Sequence, residues 1–189
     1  MKLSERVTFD GSRQLLMAGN CVLENKGIAF QTIEFLKRLA ESLDVDLVFK
    51  ASYRKDNRSS DRYFSGLPLD EALNIFADAK KQFDVPIVSD VHYPTELEQG
   101  VAEVVDVLQV PAYLAMQTEL VQSIARVGKT VNVKKAQFLH PEEMGKVCRK
   151  IESVGNHSIL LTERGTCFGY RDLVVDPRSF QIMKGLGYP

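Results

Sequence analysis

The residues best suited to chemistry form a polar segment directly after a short apolar run. Four cations fall within nine residues and an Asn-Arg-Ser-Ser sequence closes the segment: Lys50, Arg54, Lys55 and Arg58, then Ser59 and Ser60. A guanidinium group offers a planar fork to phosphate oxygens, an ammonium group a point charge, and hydroxyl groups complete the shell. The segment therefore predicts a phosphate site, and a solvated basic loop is the alternative.

Two further basic clusters follow apolar runs, Lys134-Lys135 and Glu163-Arg164-Gly165. A lysine at the end of an apolar strand is costly unless it meets an anion or a carboxylate. Because side chains alternate along a strand, one lysine of the pair should point inward and the other outward. Three basic clusters predict a ligand with several negative charges, such as two phosphorylated substrates. The alternative is buried ion pairs with Glu163 or Asp90.

Composition excludes several classes of protein. The 189 residues hold 24 basic and 25 acidic side chains, so no overall field favours nucleic acid or a membrane surface. No apolar run is long enough for a membrane span. The amino terminus carries mixed charge and leads into no apolar segment, so we expect no secretory signal. Three cysteines favour a reducing compartment over a disulfide framework. We expect a cytoplasmic protein.

Six short apolar runs alternate with amphipathic stretches along the chain. The runs predict buried strands, at residues 15–18, 47–49, 87–88, 104–108, 131–133 and 159–161. The stretches predict helices, at residues 28–43, 69–83, 94–103, 117–127, 141–154 and 177–186. No linker or repeat interrupts the series, so we expect a single domain over residues 1–189.

Strand–helix alternation of this kind predicts a parallel sheet, either doubly wound or closed into a barrel. Polar residues after most strands, such as Cys21, Asp90, His92 and Gln109, favour the barrel, which gathers its strand ends around one mouth. No G-x-G-x-x-G sequence supports a dinucleotide site. A complete barrel has eight units in about 250 residues. We therefore expect a partial (β/α)8 TIM barrel with about six of its eight units, and a smaller fold is the alternative.

Eight motifs, in their order and spacing, resemble the signatures of the 3-deoxy-D-manno-octulosonate 8-phosphate (KDO8P) synthases. The resemblance runs from about residue 15 to residue 189, and eight ordered motifs are far more specific than any one. They are Lys50-Ala51-Ser52, Asn57-Arg58-Ser59-Ser60, Ser89-Asp90-Val91-His92, residues 105–112 (VDVLQVPA), Gln117-Thr118-Glu119-Leu120, residues 131–138 (VNVKKAQF), Glu163-Arg164-Gly165, and Phe168-Gly169-Tyr170 with residues 173–176 (LVVD).

The resemblance implies a (β/α)8 barrel, usually a homotetramer, that condenses phosphoenolpyruvate with arabinose 5-phosphate in lipopolysaccharide biosynthesis. C3 of phosphoenolpyruvate attacks the sugar aldehyde, water adds at C2, and phosphate leaves by C–O cleavage. The catalytic set that it implies is Lys55, Asn57, Lys134 and Arg164, and the substrate-binding set is Lys50, Ser52, Arg58, Ser59, Asp90, His92 and Gln109. Of these, Lys55, Lys134 and Arg164 would hold phosphoenolpyruvate, and Asn57, Arg58 and Ser59 the sugar phosphate.

Cys21 lies where metal-dependent members of that family carry a cysteine ligand and metal-independent members an asparagine. The resemblance therefore implies that Cys21 binds a divalent transition metal. By itself, a cysteine after a strand is more often a small buried hydrophobe, and Cys148 and Cys167 are interpreted in that way. A catalytic centre generally needs about three protein ligands, and the family's His, Glu and Asp ligands belong to the seventh and eighth units.

Two departures from the family pattern remove cations, since Met116 and Ser65 stand where the family typically has arginine. They leave two alternatives to a KDO8P synthase. One is a related phosphoenolpyruvate aldolase that acts on a different aldose phosphate, and the other is a catalytically inactive binding protein. Because the seventh and eighth units are expected to be absent, we also expect unpaired strand edges and no self-sufficient catalysis.

Overall fold

A computed structural model describes residues 1–4 and 7–189. The described residues fall into two compact units. Unit one comprises residues 1–90 and 98–107, and unit two comprises residues 91–97 and 108–189. The single domain remains a prediction. In the part of the chain described, no helix is long and apolar enough to cross a membrane.

Unit one is built on three strands and two long helices, β1 (Leu15–Ala18), α1 (Lys26–Leu43), β2 (Asp46–Lys50), α2 (Leu69–Phe83) and β3 (Ile87–Asp90). β1 runs parallel to β2, with Leu15 opposite Asp46, and β2 runs parallel to β3, with Phe49 opposite Ile87. All four residues of β3 are buried. Such continuous burial is typical of a parallel strand covered on both faces.

The two long helices of unit one begin and end at recognisable local signals. The Asn25 side chain accepts a hydrogen bond from the Ile28 amide and caps the amino end of α1. α2 carries Asp70 and Glu71 in its first turn and lysines in its last, which complements the helix dipole. Both helices end at an aspartate in the left-handed conformation. The prediction of residues 69–83 as a helix is confirmed to the residue.

Unit two repeats the alternation of strands and helices. Its longer segment begins at Leu108, the second residue of β4 (Val107–Val110). The elements that follow are a 3-10 turn (Ala112–Leu114), α5 (Thr118–Arg126), β5 (Thr130–Lys134), a second 3-10 turn (Pro141–Glu143), α6 (Met144–Glu152), β6 (Ile159–Thr162), β7 (Thr166–Cys167), β8 (Leu173–Val174) and α7 (Arg178–Lys184). β5 and β6 are parallel, with Val131 opposite Ile159. β7 and β8 form an antiparallel hairpin that the sequence did not predict.

The predicted helix over residues 94–103 is wrong, because the chain breaks into three short pieces there. These are α3 (Pro94–Glu96), a π turn (Leu97–Val101) and α4 (Ala102–Val104). Gly100 has a φ of 101°, which no continuous helix allows.

The strand predicted over residues 104–108 is present, but its bounds are wrong, since β4 begins only at Val107 and runs to Val110. The Asp106 carboxylate accepts hydrogen bonds from the Lys80 ammonium at 2.8 Å and from the Ile87 amide at 2.8 Å. Asp106 therefore fixes the turn before β4 against α2 and β3. The apolar residues Val104 and Val105 belong to the end of α4 and to that turn.

The strand order within each unit favours a barrel over a doubly wound sheet. β2 lies between β1 and β3, and β5 lies between β4 and β6. Each strand is thus added beside its predecessor, with no reversal of order of the kind that marks a doubly wound sheet. Six strand–helix units in this arrangement confirm the predicted class, the (β/α)8 barrel family.

The close approach of β1 and β2 gives a test of the fold. A Cβ atom at Gly19 would lie 2.2 Å from the Lys50 carbonyl oxygen and 2.7 Å from the Phe49 ring. We expect Gly19→Ala to lower the free energy of unfolding by about 1–3 kcal/mol, as overpacking does. Gly27→Ala, in the first turn of α1 with its nearest such atom at 3.4 Å, is the control and should be neutral or stabilising. Equal urea-denaturation midpoints for Gly19→Ala and the unsubstituted chain would contradict this packing.

Candidate functional site

In unit one, a chain of four polar side chains joins the carboxyl ends of β2 and β3. Lys50 Nζ donates to Ser52 Oγ at 3.0 Å, and Ser52 Oγ donates to Asp90 Oδ2 at 2.6 Å. Lys55 Nζ donates to the same carboxylate oxygen at 3.2 Å. Ser52 and Asp90 are buried, while the Lys55 side chain keeps 12% of its surface exposed. The arrangement holds two ammonium groups in place at the end of the sheet.

The first loop of unit one lies against this chain. Lys50 Nζ also donates to the Cys21 carbonyl oxygen at 3.1 Å, and the Leu23 amide donates to the Ser52 carbonyl oxygen at 2.9 Å. Among Lys50, Ser52, Lys55 and Asp90, two positive charges face one negative charge. Because the Asp90 side chain is buried, water screens the interactions among these charges only weakly. Such a cluster attracts an oxyanion.

Asn57, Arg58 and Ser59 lie on an exposed part of the loop that follows β2. Arg58 Nε donates to the Phe64 carbonyl oxygen at 3.1 Å, and the Lys55 amide donates to the Ser65 carbonyl oxygen at 2.6 Å. The loop thus closes on itself through residues 54–66. The three side chains remain candidates for sugar-phosphate binding on an accessible surface.

In unit two, a second hydrogen-bonded chain runs across three neighbouring strands. Thr162 Oγ1 on β6 donates to Asn132 Oδ1 at 2.8 Å, and Asn132 Nδ2 on β5 donates to Gln109 Oε1 on β4 at 2.7 Å. Gln109 and Asn132 are buried. With its oxygen engaged by Asn132, the Gln109 amide is oriented to present its N–H groups as donors. Gln109 belongs to the predicted site, whereas Asn132 and Thr162 were not singled out there.

The other predicted residues of unit two lie near strand ends. Lys134, the last residue of β5, is half-buried and shares a strand face with Asn132 two residues earlier. The Arg164 guanidinium lies 5.9 Å from the centre of the Tyr113 ring, within cation–π range. No motif or spacing in the sequence pointed to Tyr113 as a contact of Arg164. His92 is buried, and its amide donates to Glu96 Oε2 at 2.8 Å, which fixes the turn that begins α3.

Lys135 is the buried member of the lysine pair. Its side chain is fully buried, and its ammonium group lies 3.5 Å from Glu163 Oε1. Lys135 therefore forms an ion pair with Glu163, and Lys55 forms one with Asp90, as in the alternative to ligand binding. Lys134 keeps the more accessible position of the pair.

The described residues do not complete a metal centre. Cys21 is exposed, and nowhere in residues 1–4 and 7–189 do three His, Cys, Asp or Glu side chains lie together as metal ligands. One thiolate falls short of the ligands that a catalytic transition-metal site needs. The role of Cys21 in metal binding stays a prediction, and no chemical step is derived through a metal.

The three thiols differ in a way that chemical labelling can measure. Burial, with a further contribution from Glu152, raises the pKa of the Cys148 thiol to about 12, whereas Cys21 and Cys167 are exposed. Since only the thiolate reacts, iodoacetamide at about pH 8 should alkylate Cys21 and Cys167 in the folded protein. Cys148 should react only after denaturation. Peptide mass spectrometry reads this out, and an alkylated Cys148 in folded protein would contradict the placement of that residue.

Comparison with known proteins shows extensive similarity to one family. The model of the DAHP synthetase I family matches residues 3–188. The 2-dehydro-3-deoxyphosphooctonate aldolase of Hahella chejuensis is 47% identical over 175 residues, which cover 93% of this chain and 62% of the relative. The proteins of that name from Geobacter sp. (strain M21) and Francisella tularensis are 47% and 44% identical, and the matches cover 67% and 68% of those relatives. The chain thus spans about two thirds of their length.

Proposed function

Because the chain belongs to the DAHP synthetase I family, we propose that it acts in a phosphoenolpyruvate-dependent synthase that condenses phosphoenolpyruvate with an aldose phosphate. The relatives named 2-dehydro-3-deoxyphosphooctonate aldolase support arabinose 5-phosphate as the second substrate. The products are then 3-deoxy-D-manno-octulosonate 8-phosphate and inorganic phosphate.

The observation that carries the proposal is the fixed positive charge at strand ends. In unit one, Lys50 and Lys55 are held by Ser52 and Asp90. In unit two, Lys134 and Arg164 follow β5 and β6, and Arg164 faces the Tyr113 ring. Phosphoenolpyruvate carries a phosphate and a carboxylate, and each needs donors that are already in place.

The proposed roles are those that the resemblance to the KDO8P synthases implies. Arg164 supplies a bidentate fork to phosphate or carboxylate oxygens, and Lys55 and Lys134 supply point charges. The oriented Gln109 amide donates a further hydrogen bond. As C3 attacks the sugar aldehyde and water adds at C2, the cations stabilise the charge on the departing phosphate, because they need no reorganisation during the reaction. Asn57, Arg58 and Ser59 are proposed to hold the sugar phosphate.

A different aldose phosphate is the second candidate substrate, and Met116 is the observation that favours it. This residue stands where the resemblance led us to expect a cation that contacts the sugar phosphate. The residue is exposed, at 40% of its surface, and its carbonyl oxygen accepts a hydrogen bond from Lys150 Nζ at 2.9 Å. A thioether cannot replace the charge of a guanidinium group at a phosphate. Arabinose 5-phosphate remains the first proposal because the relatives' name supports it.

The proposal also includes the other properties that the resemblance implies. They are assembly as a homotetramer, a cytoplasmic location, a place in lipopolysaccharide biosynthesis and, through Cys21, a divalent transition metal.

Phosphate release from phosphoenolpyruvate, measured across a panel of aldose phosphates, distinguishes the candidate substrates. A rate that depends on arabinose 5-phosphate supports the first proposal, and a rate that depends on another sugar supports the second. Phosphoenolpyruvate binding without release for any sugar would leave the binding-protein alternative.

Removal of one cation tests the binding of phosphoenolpyruvate directly. We expect Arg164→Ala to weaken the affinity by about 1.5–3 kcal/mol, the value of a hydrogen bond to a charged group. Isothermal titration calorimetry at fixed salt measures this change. Arg178→Ala is the matched control, because Arg178 is exposed and paired with Asp176, and its removal should leave the affinity unchanged. Equal affinities for Arg164→Ala and the unsubstituted chain would show that Arg164 does not bind this substrate.

A further inference from the structure

A buried ammonium group lies at the centre of the loops that follow β5 and β6. The Lys135 side chain has no exposed surface. Five oxygens lie within 3.5 Å of its Nζ atom: Thr166 Oγ1 at 3.0 Å, the carbonyl oxygens of Ala136 at 3.2 Å, Gly165 at 3.3 Å and Leu139 at 3.4 Å, and Glu163 Oε1 at 3.5 Å. One side chain thus ties the segment 135–139 to the segment 163–166.

The partner carboxylate holds the backbone on either side of the Arg164 α-carbon. Glu163 Oε1 accepts hydrogen bonds from the Arg164 amide at 2.9 Å and from the Gly165 amide at 2.6 Å. The Glu163 side chain is 1% exposed, and among residues 1–4 and 7–189 its second oxygen, which is buried, has no hydrogen-bond partner. Oε1 therefore accepts hydrogen bonds from two consecutive amides, those of residues 164 and 165.

The loop that contains Arg164 and Gly165 is also confined by the β7–β8 hairpin. Gly165 has a φ of +92°, and a Cβ atom there would lie 2.8 Å from Leu173 Cγ on β8. Only glycine fits both the backbone conformation and this contact. The Arg164 backbone is therefore held by Glu163 and Lys135 on one side and by the β7–β8 hairpin on the other.

A buried ion pair is a poor way to gain stability, because desolvation of both charges offsets much of their attraction. Two apolar side chains of similar size would fill the space at less cost. The contacts of this pair are made with the segment that follows Lys134 and with the segment that contains Arg164. They indicate that the pair fixes the position of these two segments.

We propose that Lys135 and Glu163 are positioning residues, which hold the backbone so that the Arg164 guanidinium is set in advance for an oxyanion. The choice of phosphoenolpyruvate as that oxyanion rests on the proposed function. The preorganisation itself does not, since it concerns the backbone at residues 164 and 165.

Amide hydrogen exchange tests the preorganisation without any ligand. In Glu163→Ala, the Arg164 and Gly165 amides lose their acceptor, and their exchange should accelerate by about tenfold or more. Glu143→Ala is the matched control, since it removes a partly exposed carboxylate of unit two that is paired with Lys146. It should leave both exchange rates unchanged. Unaltered exchange at residues 164 and 165 in Glu163→Ala would overturn the proposal.

A double-mutant cycle with Arg164→Ala separates positioning from general stability. Glu163→Ala should weaken phosphoenolpyruvate binding by about tenfold when Arg164 is present, and by less than about twofold in the Arg164→Ala background. An equal loss in both backgrounds would mean that Glu163 acts on folding alone, and would overturn the proposal. If the unsubstituted chain binds no phosphoenolpyruvate, the proposed function fails, while hydrogen exchange still decides the positioning.

If Glu163→Ala does not fold, Glu163→Gln replaces it in both measurements. Glutamine keeps a neutral acceptor for the two amides, and Lys135 keeps its four neutral oxygens. The acceleration of exchange should then be smaller but confined to the same two amides. Unchanged exchange in a folded Glu163→Gln protein, together with unchanged affinity, would overturn the proposal.

Discussion

A charge at the end of a buried parallel strand must find a partner, since an unpaired ion in such surroundings costs several kcal/mol. This constraint shapes the strand ends of both units. In unit one, Asp90 at the end of β3 meets Lys55 directly and Lys50 through the Ser52 hydroxyl. In unit two, Glu163 meets Lys135. In both units a buried carboxylate thus holds lysine side chains in place at the strand ends.

Local signals were sufficient to predict much of the fold. The helix over residues 69–83 and the strand over residues 15–18 agree with the structure at both ends, because each is bounded by residues that end an apolar pattern. The strand predicted at residues 104–108 is present as β4, but its start was placed three residues too early, because an apolar run cannot distinguish the end of a short helix from the start of a strand. The β7–β8 hairpin was missed because its strands have two residues each and are largely exposed.

The candidate site was predictable in its residue types but not in its pairings. Alternation along β5 predicted opposite directions for Lys134 and Lys135, but it could not predict which of the two is buried. Lys135 lies just beyond the last residue of the strand, and its burial depends on contacts with the segment at residues 163–166. The partners of Asp90 and Glu163 depend on contacts between segments far apart in the chain. Asn132 was visible only as part of a motif, and its role in orienting Gln109 requires the register of β5 against its neighbours.

The proposed function requires that the strand-end cations of this chain bind phosphoenolpyruvate. The most direct measurement is a titration with phosphoenolpyruvate followed by amide chemical shifts in two-dimensional NMR. Binding at these cations predicts saturable shifts at residues 55, 134 and 164 and in the loops that follow β2, β5 and β6. Shifts confined to the opposite strand ends, near Arg13 and Asp46, or no shifts at saturating ligand, would contradict it.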